Sequence, residues 1–184
     1  MNLTNHFLIA MPSLMDPNFS RTVTYVCSHD EGGAMGLVIN RPTGMALGDV
    51  LSQMSIEATD VQARSIPVLQ GGPVLQERGF VLHRPGGPWD AVLAVRGSDF
   101  AVATSKDILV AIAEGRGPSE VIVALGYAGW AAGQLEREFA ENAWLSGPAD
   151  AGIIFRVPFE QRWEAAARLL GVDLDRMSGQ AGHA

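Results

Sequence analysis

The 184-residue chain predicts a single α+β domain, and three observations lead there. β-Branched and aromatic residues crowd into residues 21–28 (RTVTYVCS) and apolar ones into 34–40 (AMGLVIN), on either side of a glycine-bearing turn. Residues 121–125 (VIVAL) are apolar without interruption, as in a central strand buried on both faces. Helical spacing of apolar residues marks other stretches, so strands come first as hairpins and alternate with helices only later. That order argues against a regular doubly wound sheet.

The first strand covers residues 7–11 (FLIAM) and stops at Pro12, and Asp16-Pro17 marks an ordered loop. The hairpin of 21–28 and 34–40 turns at His29-Asp30-Glu31-Gly32-Gly33. Arg41-Pro42-Thr43-Gly44 then ends the second strand, because proline cannot donate to a ladder. Leu47, Val50, Leu51 and Met54 share one face of a short helix over 46–54. Residues 67–70 and 79–84 read as strands closed by Gly71-Gly72-Pro73 and Pro85-Gly86-Gly87-Pro88, with 89–95 and 99–103 as further short strands. Ser105 caps a helix that carries Ile108, Leu109 and Ile112 and stops at Gly115 and Gly117. After the 121–125 strand, Gly126-Tyr127-Ala128-Gly129-Trp130 leads into a helix over 131–142. Trp144-Leu145 and Ile153-Ile154-Phe155 read as two more strands. A last helix follows Pro158, with Trp163, Ala166, Ala167 and Leu170 inward and Gly171 as its stop. Residues 178–184 form a small polar tail expected to fray. With no internal repeat and no linker, residues 1–184 read as one domain.

Thirteen basic residues against twenty acidic ones give a net charge of −7, a field that repels nucleic acid and anionic membrane faces. Direct nucleic-acid binding is therefore disfavoured. Lys106 is the only lysine, and the arginines are scattered without forming a stripe. The single cysteine, Cys27, permits neither an internal disulfide nor a paired-cysteine zinc site and fits a reducing cytoplasm. Residues 7–11 are too short for a signal h-region, and no run approaches the roughly 18 apolar residues of a membrane helix. The expectation is a cytoplasmic protein, off the membrane, monomeric or weakly dimeric.

Familiar catalytic signatures are missing. Gly115-Arg116-Gly117 lacks the third glycine of a dinucleotide fingerprint, since Glu120 stands there, and Lys106 has no preceding glycine loop. No nucleophile elbow or HExxH motif occurs. No catalytic residue, metal site or cofactor is assigned. Three glycine corners with functional side chains beside them stand out instead: Asn40-Arg41, Gly71-Gly72, and Tyr127, Gly129 and Trp130. Glycine lets a ligand approach the backbone, Arg41 offers a planar fork to a carboxylate or phosphate, and Tyr127 and Trp130 offer rings. Meeting around one hollow, these corners would hold a small anionic ligand or a peptide segment. The same glycines equally serve tight turns and close packing. A second constellation, His29, Asp30 and Glu31, gathers an imidazole and two carboxylates, as a hydrolase or transferase needs and as a solvated turn also shows.

Several long runs are specific enough to compare. FLIAMPSLMDPNFSRTV (residues 7–23), HDEGGAMGLVINRP (29–42), GGPV (71–74), RGFVLH (78–83), TSKDIL (104–109), ALGYAGWAAGQLE (124–136) and NAWL (142–145) resemble the YqgE/AlgH family of bacterial proteins. Residues 44–66 and 86–102 match weakly. The resemblance implies an α+β fold whose branched, strongly curved, mostly antiparallel sheet closes into a partial barrel flanked by about four helices. Members carry the label of transcriptional regulators, one having been linked to alginate synthesis, but the family brings no reaction, ligand or catalytic residue to carry over. The expected function is non-enzymatic binding or regulation. A hydrolase or transferase using the His29 turn, and a DNA-binding regulator, are the alternatives.

Overall fold

In the computed structural model, which describes residues 1–179, the hairpin forms from β2 (Val23–Asp30) and β3 (Gly33–Val38). β1 (His6–Ala10) pairs antiparallel with β2 on one side and with β10 (Trp144–Pro148) on the other. The branch point is β9 (Val121–Ala131). Its first half lies between β5 (Pro67–Gln70), which is parallel to it, and antiparallel β6 (Val74–His83). Further along, Ala128 to Ala131 pairs with β3 instead. β8 (Ala101–Ala103) and β7 (Val92–Ala94) extend the sheet beyond β6, and β4 (Pro42–Ala46) joins β5. The ten strands curl into a half-barrel, antiparallel except at β5–β9.

Strand alternation sorts the apolar residues between separate cores, because successive side chains point to opposite faces. Phe7 and Ile9 enter one core and Leu8 and Ala10 another; Phe80 and Leu82 join the first, Val81 a third. The first core packs Tyr25, Leu37 and Ile122 against α5 (Ala151–Phe155), α6 (Arg162–Leu169) and α7 (Leu174–Gly179). The Trp163 indole N–H donates to the Ala10 carbonyl at 2.9 Å, which fixes α6 on β1. The Val81 core lies under α1 (Leu47–Gln53), α2 (Val61–Arg64) and α3 (Lys106–Ala113). The Leu8 core gathers Val26, Ala128 and Trp130 with Leu135 of α4 (Gln134–Ala140). Each fully buried Leu or Ile contributes roughly 1.5–3 kcal/mol.

Several expectations are corrected. Seven α-helices are present among the described residues, rather than about four. Pro42 starts a strand instead of ending one; at the first position its missing N–H breaks no ladder bond. Gly126 to Trp130 continues β9, Gly126 adopting φ +76°, and the helix waits until Gln134 after Gly133. Ile153-Ile154-Phe155 is helical, because Asp150 accepts the Ile153 N–H at 2.9 Å and caps that turn. The 89–95 strand shrinks to β7, and the short α2, capped by Asp60, had no periodicity to announce it. Ser178 and Gly179 close α7, while the rest of the expected tail lies outside the described residues. Among the described residues no helix is long and apolar enough to cross a membrane.

Candidate functional site

The three glycine corners come together as hydrogen-bonded sheet. The Gly71 N–H donates to Leu125 O at 2.8 Å, Val38 N–H to Gly71 O at 2.8 Å, and Gln70 N–H to Arg41 O at 2.7 Å. A Cβ on Gly71 would lie 2.4 Å from Gly126 O, and one on Gly72 2.1 Å from the Tyr127 carbonyl carbon. Backbone packs on backbone here, and only glycine leaves room. The Asn40 side chain accepts the Val23 N–H and donates to Arg21 O, each at 2.9 Å. Arg41 donates to the carbonyls of Pro17, Asn18 and Ser20 at 2.8, 2.7 and 2.9 Å. Burial lowers its pKa while Asp16 acts in the opposite sense. The fork expected to hold an anion is thus committed to the loop between β1 and β2.

The His29 cluster, by contrast, does not converge. Alternation along β2 sends His29 inward, 4% exposed, and leaves Asp30 and Glu31 outside. The Leu3 N–H donates to His29 Nδ1 at 3.1 Å, so that nitrogen is the acceptor and Nε2 carries the proton. Nε2 donates to Glu136 Oε1 at 2.9 Å. The ring joins the N-terminal segment to α4, and both nitrogens are occupied. Asp30 Oδ1 accepts the Gly32 N–H at 2.7 Å, an ordinary turn bond.

A shallow trough of about 560 Å³ opens beside these corners, along β3 and the second half of β9. Tyr127, Gly129 and Trp130 line it together with Asp30; Asn40, Arg41, Gly71 and Gly72 do not. Ser28, Gly32, Gly33, Ala34, Met35 and Val74 complete the lining. The Tyr127 ring is set by an edge contact with Phe80, 5.5 Å between centroids. Trp130 is held by Phe19 and Trp144 at 5.8 and 6.1 Å and is only 5% exposed, so it offers little ring surface. Asp30 is the sole charged group of the lining, which reverses the sign of charge expected when Arg41 was placed there. Met35 has no signal in the sequence: a bulge between Val26 and Ser28 shifts the hairpin register and sets Met35 opposite Ser28. Val74, next to the Gly71-Gly72-Pro73 corner, was the one neighbour with a signal.

A family model described as AlgH-like matches residues 7–175. The chain belongs to the AlgH-like family. A UPF0301 protein of Thioalkalivibrio sulfidiphilus is 59% identical over 183 residues, covering 100% of this chain and 97% of that protein. One from Nitrosococcus oceani is 54% identical, covering 98% and 96%. The solution structure of the AlgH protein from Pseudomonas aeruginosa superposes with a TM-score of 0.82 at 50% identity, over 100% of this chain and 97% of that one. A Corynebacterium diphtheriae protein has a TM-score of 0.70 at 20% identity, covering 96% and 91%, and shares the fold. The AlgH-like resemblance seen in the sequence and the curved sheet it implied are both found.

Proposed function

We propose that this AlgH-like protein is a non-enzymatic binding protein that receives an extended peptide segment in the trough along β3 and β9. The observation that carries the reading is the joint presence there of the Tyr127 ring, lying over Gly129, and the Asp30 carboxylate. Tyr127, Met35 and Val74 offer apolar contact for alternate side chains of an extended guest. Asp30 alone sets the local charge, and the overall charge of −7 attracts cationic partners over longer range. A segment alternating basic and apolar residues fits both. Regulation by such a protein would pass through a protein partner rather than through DNA.

A panel of hexapeptides of basic–apolar, acidic–apolar and neutral–apolar pattern tests this by calorimetry. Retention of the basic–apolar class, a tenfold or greater loss with Tyr127→Ala and loss of the charge preference with Asp30→Asn are expected, on the order of 1.4 kcal/mol per tenfold. Equal affinity for all three classes contradicts the reading.

A further inference from the structure

β6 and β9 fall out of register midway: Val74 pairs with Tyr127, yet Gly79 pairs with Leu125. Residues 75–78 therefore bulge out opposite Gly126. Val74 lines the trough; within the bulge, Gln76, Glu77 and Arg78 wall a second hollow of about 540 Å³, between α1, α3 and the first half of β9. That volume falls within the range of small-molecule sites, roughly 300–1,000 Å³. Its apolar wall is built from Val50, Met54, Leu109, Val123 and Leu125. Arg78 and Lys106, both exposed, stand on its rim with one carboxylate, Glu77. Among the described residues neither cation takes part in an ion pair. Asp107, next to Lys106 in sequence, is a carboxylate outside the lining; it accepts from the Ser105 hydroxyl and from the Asp90 N–H at 2.9 Å.

We propose that this cavity binds an amphipathic monoanion, an acyl or aryl body with a carboxylate head. The body covers the partly exposed surfaces of Val50, Met54 and Leu125, which is the general driving force for such sites. Among the lining residues two cations against Glu77 leave one positive charge, and one negative head neutralises it. An uncharged amphiphile leaves that charge uncompensated, and a dianionic head brings one charge too many. The site shares no lining residue with the trough and stands whether or not the trough binds peptide.

Decanoate, decanol and decyl phosphate, each titrated into the full chain below its micellar concentration and followed by amide chemical shifts, test the assignment. Decanoate is expected to saturate at one equivalent, to move the amides of Leu109, Val123 and Leu125, and to bind about tenfold more tightly than decanol. The Arg78→Gln/Lys106→Gln double variant alters only exposed side chains and should unfold at the wild-type temperature. In it, decanoate should weaken to the level of decanol. Equal binding of decanol and decanoate, shifts confined to other parts of the chain, or undiminished binding by the double variant would overturn the proposal. Decyl phosphate binding more tightly than decanoate overturns the monoanionic assignment.

Discussion

Gly72 and Tyr127 are in direct backbone contact: a Cβ added to Gly72 would lie 2.1 Å from the Tyr127 carbonyl carbon and 2.2 Å from its oxygen. Nothing short of moving a strand relieves that overlap, so Gly72→Ala should cost more than about 3 kcal/mol or prevent folding. Gly44 supplies the comparison, since its φ is +84° and nothing lies within 4 Å of its built Cβ. Gly44→Ala should cost only about 1 kcal/mol of backbone strain. Urea midpoints measure both, and equal losses would contradict the close-contact account.

Arg41 holds three carbonyls of the loop between β1 and β2. Arg41→Gln should lower stability by about 1–2 kcal/mol, the value for charged hydrogen bonds reduced for partial exposure. Amide exchange should quicken in residues 16–20 while peptide affinity stays unchanged. A large drop in affinity with unaltered exchange would return Arg41 to the binding site.

Cys27 is 1% exposed, and burial pushes its thiol up to about 12. The folded protein should react with iodoacetamide near pH 8 at least a thousandfold more slowly than a free thiol, and at the ordinary rate in urea. Rapid labelling without denaturant would show that the β2 strand opens.

Glu138 is half-buried beside Trp130 and Trp144, and burial raises its pKa. A carboxyl whose folded pKa exceeds its unfolded one binds its proton more tightly in the fold. Stability from this group therefore falls as pH rises through the interval between the two values, and is lowest above both. Glu138→Gln should raise the Tm near pH 7, and the gain should vanish near pH 3, where both forms are neutral. A gain independent of pH would point to packing instead.

What could be read from the residues was local. The β2–β3 hairpin, the 121–125 run and the helix after Ser105 follow from alternation, apolar continuity and turn chemistry within a few residues. The helical fate of Ile153 and Ile154 depends on the Asp150 cap, which a three-residue apolar run does not reveal. The extension of β9 through Gly126 depends on a partner strand some fifty positions earlier in the chain, bulged to match it. At the site, Tyr127, Gly129 and Trp130 stood out because glycines flank them, and they do share a trough. Arg41 had the right chemistry, but its partners lie 21 to 24 residues away in a loop with no pattern to mark it.

The central claim is that the trough along β3 and β9 receives a peptide segment, and an amide chemical-shift map with a basic–apolar hexapeptide tests it most directly. The account predicts saturable shifts at Asp30, Met35, Tyr127 and Gly129, abolished by Tyr127→Ala in a chain that remains folded. Saturable shifts that spare these four residues, or no shifts at millimolar peptide, would contradict it.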